Sequence, residues 1–177
     1  MKTNENLVLV GMSGAGKSTL GVLLAKALGK QFVDTDLLIQ EREGRLLQNI
    51  LDSEGIDGFL AIEEDVVSKL RAENTVIATG GSVVYSEKAM AHLKTSGKVV
   101  FLYVDFEELA SRLFNITTRG IVFKGSADLR SVYEERLPLY EKYADLRIDC
   151  TGRGVEESVG EILESLRSMA TRDVGFY

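Results

Sequence analysis

Short runs of consecutive apolar residues alternate along this chain with longer stretches in which apolar positions recur every three or four residues. The clearest short runs are residues 7–10, 75–78 and 99–104, and shorter ones stand at 31–33 and 146–148. Residues that are apolar at successive positions, rather than at alternate ones, predict strands buried on both faces. The helical spacing covers 17–28, 58–71, 87–94, 106–114, 127–143 and 155–168. In the last of these Val155, Val159, Ile162, Leu163 and Leu166 fall on one face. Strand and helix signals in alternation predict an α/β fold with a five-stranded parallel sheet between helical layers. Residues 115–126 fit neither period. They are polar and glycine-bearing, with Thr117, Thr118, Arg119, Gly120 and Gly125, and read as a mobile loop.

Composition narrows the function. The 177 residues are 45% hydrophobic and 27% charged, a globular profile of a size that suits one domain spanning 1–177. A net charge of −6 argues against a nucleic-acid partner, which would need a basic face. One cysteine, Cys150, leaves no internal disulfide, and one histidine beside it leaves no zinc-site spacing. No apolar run reaches membrane-spanning length, and residues 1–6 are polar. The expectation is a cytoplasmic monomer. His92 has no catalytic role in this reading.

The chemistry starts at Gly11-Met12-Ser13-Gly14-Ala15-Gly16-Lys17-Ser18, followed by Thr19. This is the P-loop pattern, placed after a predicted strand and at the head of a predicted helix. Glycines let successive N–H groups turn toward phosphate oxygens, and the helix N-terminus adds partial positive charge. Lys17 would neutralise the β- and γ-phosphates of a nucleoside triphosphate, and the Ser18 hydroxyl would ligate Mg²⁺. ATP with magnesium is therefore the expected ligand.

Beyond the P-loop the sequence resembles the shikimate kinase family over nearly its whole length. Phe32-Val33-Asp34-Thr35-Asp36 resembles that family's acidic pair after the second strand. The resemblance implies that Asp34 lies near magnesium and that Asp36 contacts the acceptor hydroxyls. An N-cap ahead of Leu37, Leu38 and Ile39 is the competing structural reading of Asp36. Ile77-Ala78-Thr79-Gly80-Gly81-Ser82 is similar to the family's glycine-rich turn beside the acceptor, with Ser82 where a third glycine is implied. Such a serine could disfavour a positive φ, or donate its hydroxyl to a substrate. Arg112 matches an arginine that stacks on adenine, and Asp149 and Arg153 belong to a stretch like the family's adenine loop. Arg119 matches a lid arginine that reaches over the phosphates. The lid, at about 114–126, reads Arg119-Gly120-Ile121-Val122, without the family's proline. Arg136, in Glu135-Arg136-Leu137-Pro138-Leu139-Tyr140, matches an arginine that holds the acceptor carboxylate, for which a guanidinium fork is suited.

One departure bears on the acceptor. Helices at about 36–72 are implied to cover it and to carry a Phe-Arg pair followed by a glutamate. Phe59 and Glu63 line up, but Leu60 stands at the arginine position and Ile56 at that of an earlier glutamate. Losing one of two charged donors to a buried carboxylate costs about 2–5 kcal/mol. Glu63 would lose a partner as well. Three readings stay open: a shikimate kinase with an altered carboxylate clamp; a kinase of the same fold for another small hydroxylated metabolite; and a regulatory nucleotide-binding module without phosphotransfer. The implied catalytic set is Lys17, Asp36 and Arg119, with Glu63, Gly80, Gly81 and Arg136 around the acceptor.

Overall fold

The computed structural model describes residues 5–114 and 128–173. Strands β1 (Asn6–Val10), β2 (Gln31–Asp34), β3 (Thr75–Ala78), β4 (Gly97–Tyr103) and β5 (Leu146–Asp149) form one parallel sheet in the order β2-β3-β1-β4-β5. In the central strand Leu7 faces Val76 on one side and Lys98 on the other, and Leu9 faces Ala78 and Val100. Every residue of β1 is buried. Successive side chains of a strand point to opposite faces, so complete burial means that helices cover both faces. These helices are α1 (Lys17–Leu28), α2 (Thr35–Glu43), α3 (Leu47–Lys69), α4 (Glu87–Ser96), α5 (Phe106–Phe114), α6 (Leu129–Tyr143) and α7 (Val155–Asp173), with a 3-10 turn at Val83–Tyr85. The α/β architecture with a five-stranded parallel sheet is the one expected from the pattern. Among the described residues no helix is long and apolar enough to cross a membrane.

Strand order sets the site. In a parallel sheet all strands end at the same edge, and the loops after β1, β3 and β2 are neighbours there. Those three loops carry the P-loop, the Thr79-Gly80-Gly81 turn and the Asp34–Asp36 segment.

Two departures from the periodicity have physical causes. The chain turns helical at once after β2, forming α2 where apolar spacing alone pointed to no helix. Asp34, not Asp36, is its N-cap: the Asp34 carboxylate accepts from the Asp36 N–H at 3.0 Å. Helix α3 starts at Leu47, well before the predicted residue 58, and is broken inside at Gly55 (φ 69°, ψ −175°). That backbone region is open almost only to glycine. Two glycines within 55–58 blur the apolar period, while the packing of Ile50 and Phe59 holds the two halves together. These side chains and Ile39 form a small apolar cluster, with Leu47, Leu51, Ile56, Leu60, Ile62 and Val66 packed against it. It is separate from the large core that surrounds the sheet.

Candidate active site

The P-loop turns through Gly11, Gly14 and Gly16, all at positive φ, before α1 begins. Lys17 is 7% exposed, and its ammonium donates to the Gly11 carbonyl at 2.7 Å and to the Met12 carbonyl at 2.8 Å. The side chain is thus folded back over its own loop, where its charge faces the phosphate cradle. The Ser18 hydroxyl donates to the Asp34 carboxylate at 2.6 Å. Two hard oxygen donors from β1–α1 and β2–α2 therefore stand side by side, a donor set whose chemistry suits Mg²⁺. Ser13, Gly14, Gly16, Lys17 and Ser18 line a cleft of about 370 Å³, faced by Asp34, Asp36, Thr79 and Gly81. Ala15 is buried, and Thr19 is exposed further along α1, outside the lining of this cleft.

On one flank Arg112 of α5 donates to the Gly14 carbonyl at 3.2 Å and pairs with Glu108. Glu108 also accepts from the Gly152 N–H at 2.6 Å, which ties α5 to the loop after β5. Arg153 in that loop pairs with Glu161 at 3.1 Å. The arginine and the loop expected to meet a base are thus adjacent, beside the P-loop. Arg119 lies outside the described residues, as does nearly all of the expected lid.

On the other flank, backbone and side chains are in close contact. The Thr79 hydroxyl donates to the Leu9 carbonyl at 2.9 Å, and the Gly80 N–H to the Thr35 hydroxyl at 3.2 Å. A Cβ on Gly80 would run into Glu63 Oε1 and lie 2.8 Å from Asp36 Oδ1. A side chain there would have to displace both carboxylates, which lie close to the same side of the Gly80 backbone. A Cβ on Gly81 would lie 3.0 Å from Ser13 Oγ and 3.2 Å from Arg136 Nη1. Arg136, on α6, is 1% exposed; its Nε donates to the Tyr85 hydroxyl at 3.2 Å, with the guanidinium 5.0 Å from the Tyr85 ring centre. The Tyr140 hydroxyl, one helical turn on, donates to the Gly81 carbonyl at 2.6 Å.

Glu63 does not go without a partner. It is 2% exposed, and its Oε2 accepts from the Ser82 hydroxyl at 2.7 Å. Ser82 sits at φ −90°, so its side chain strains nothing. The hydroxyl that sequence alone left free for a substrate is committed to this carboxylate. Burial pushes the Glu63 carboxyl up to about 7, helped by the nearby Asp36 charge and opposed by Ser82, Arg136 and Lys17. Leu60 packs against the Ile39–Ile50–Phe59 cluster and lines a side pocket of about 280 Å³ with Glu63, Ser82 and Tyr85.

The sequence reading missed Tyr85, Tyr140 and Thr35. Only Tyr140 carried a signal, lying four residues after Arg136 and so on the same helix face. His92 Nε2 donates to the Leu70 carbonyl, 2.7 Å away and outside the lining of the cleft, in keeping with a structural role.

Known proteins similar to this chain in sequence and in shape agree with one another. The shikimate kinase family profile matches residues 13–167. The shikimate kinase of Thiobacillus denitrificans is 39% identical over 158 residues, covering 88% of this chain and 86% of that protein. That of Pseudomonas entomophila is 38% identical over 171 residues, covering 95% and 99%. The structure of a shikimate kinase from Acinetobacter baumannii in complex with shikimate superposes with a TM-score of 0.84 at 32% identity, covering 94% of this chain and 95% of that one. With a P-loop, an acidic pair and a buried arginine gathered at one sheet edge, and with relatives at this identity along most of its length, the chain belongs to the shikimate kinase family and is an ATP-dependent kinase acting on a hydroxyl.

Proposed function

We propose that the chain works as one P-loop kinase domain that transfers the γ-phosphoryl group of Mg²⁺-bound ATP to a hydroxyl of a small acid. The observation that supports this most is that a phosphate side (Lys17, Ser18, Asp34) and Asp36 and Gly81 line one cleft, with Gly80 against Asp36 and Arg136 close behind Gly81. Lys17 swings from its loop carbonyls to the phosphates and offsets the charge spread over the transferring oxygens. Ser18 and Asp34 hold the metal, which screens the phosphate charge when bound. Asp36 orients the acceptor hydroxyl and takes its proton as the new P–O bond forms. Arg136, already buried and braced by Tyr85, receives the acceptor carboxylate through its fork. Arg112 and the loop at Gly152 and Arg153 flank the base. A kinase consumes ATP where ATP is made, in keeping with the cytoplasm.

Shikimate is the reference acceptor, because the family's members act on it and the Acinetobacter enzyme binds it. The test is ATP- and magnesium-dependent ADP release with shikimate, for the parent and for Leu60→Arg. Efficient turnover by the parent identifies shikimate as the acceptor. An inert parent, together with a variant that gains activity, means a competent phosphotransfer machine with a re-aimed acceptor pocket. If ADP release in both proteins ignores every acceptor offered, the kinase reading fails. Leu60 and the side pocket beside Glu63 favour the second outcome.

A further inference from the structure

Two carboxyl groups gather at the acceptor side, Asp36 in the cleft lining and Glu63 buried behind Gly80. Asp36 and Glu63 both border Gly80, and Arg136 stands beyond Gly81. The charges that act on Glu63 are those of Asp36, Arg136 and Lys17. Lys17 belongs to the phosphate side, where it binds its own loop. An acceptor whose only charge is a carboxylate would match Arg136 and bring a further negative charge toward Glu63.

The Glu63 carboxylate is also oriented. Ser82 fixes Oε2, which leaves Oε1 directed at the Gly80 backbone, on the side where Asp36 Oδ1 lies. Among the described residues Oε1 is buried and has no hydrogen-bond partner. A buried carboxylate oxygen without a donor is unfavourable, and a cationic donor placed beside it would satisfy it and hold the carboxyl ionised. The chain supplies none from α3, since Leu60 at the mouth of the side pocket is apolar and packed into the small cluster.

We propose that the acceptor is a zwitterion, a small 2-amino acid carrying a hydroxyl. Its carboxylate lies on Arg136, its ammonium on Glu63 Oε1 and its hydroxyl on Asp36. An ammonium brings three donors and restores the carboxyl of Glu63 to its charged form. The phosphoryl step is unchanged: the hydroxyl oxygen attacks the γ-phosphorus, the bond to the bridging oxygen breaks, ADP leaves, and the hydroxyl proton passes to Asp36. This inference rests on the kinase reading above and specifies its substrate class.

The test compares acceptors that differ only in the amine: L-serine with 3-hydroxypropionate, L-homoserine with 4-hydroxybutyrate and L-threonine with 3-hydroxybutyrate, with shikimate beside them. ADP release and the phosphorylated product are both measured. The expected result is that one amino acid exceeds its amine-free counterpart by about 100-fold in kcat/KM, the size of effect that pairing a buried charge supplies. Glu63→Gln removes most of that preference, through the KM of the amino acid. ATP-induced thermal stabilisation confirms that the variant is folded. Leu60→Arg gives an independent reading: a guanidinium beside Glu63 takes the place of the ammonium, so amino-acid turnover falls and turnover of amine-free acids rises. Turnover of shikimate without turnover of any amino acid overturns the inference and leaves the kinase reading standing, as does equal turnover within every pair. No turnover with any acceptor ends both.

Discussion

Glu63 shows how one side chain can link stability to site chemistry. Its carboxyl is held at about 7 in the folded protein against an ordinary value of 4.5. A raised folded pKa means that the folded state holds the proton more tightly than the unfolded chain. The contribution is fully present below pH 4.5 and is lost as pH rises through about 7. The difference amounts to about 3 kcal/mol. Without ligands, Glu63→Gln is therefore expected to be more stable than the parent at pH 8, and the two should converge toward pH 5. Urea melts of both proteins at those two pH values check this. A parent that is the more stable at pH 8 would show that the ionised carboxylate is already well satisfied. The sequence made Glu63 visible only through its neighbours Phe59 and Leu60. It could not show that Ser82, on another element, supplies the hydrogen bond, because that pairing depends on α3 crossing the turn after β3.

At the scale of elements, the legible parts were those in which local pattern and tertiary role coincide. The run Leu7–Val10 followed by the P-loop pattern marks a buried strand, a turn and a helix start at once. Asp34 was harder to read: it caps α2 and bonds Ser18 with the same carboxylate, and a cap and a ligand look alike in sequence. Least legible was the helical hairpin of α2 and α3. Its α3 has a residue, Gly55, in a conformation that the rest of a helix cannot adopt, with nothing within 4 Å of a Cβ placed there. Gly55→Ala is therefore a test of backbone strain without steric overlap. The expected loss is about 1–3 kcal/mol, read from urea unfolding. A variant with unchanged stability would mean that the break moves or heals at no cost.

Across the whole molecule the apolar interior is divided unevenly. The sheet core runs from β1 outward to α7, whereas α2 and the first part of α3 rely on Ile39, Ile50 and Phe59 with a few half-buried neighbours. Regions with little buried apolar contact open at lower free energy than the global unfolding reaction. Amide exchange should therefore be fastest in α2 and in the part of α3 before Gly55, and slowest in β1 and β4. Equal protection of all these segments would contradict the division.

That division has a consequence for how such a kinase can change over generations. In the reading proposed above, Asp36 and Glu63 stand on α2 and α3, the helices of the small cluster, while Lys17, Ser18 and Arg136 stand on α1 and α6, which pack in the large one. Replacements such as those at Leu60 and Ser82 leave the sheet, the P-loop and the Ser18–Asp34 pair intact. On that reading, a lineage can trial new acceptors on a nucleotide engine that keeps running, with α2 and α3 as the replaceable fitting.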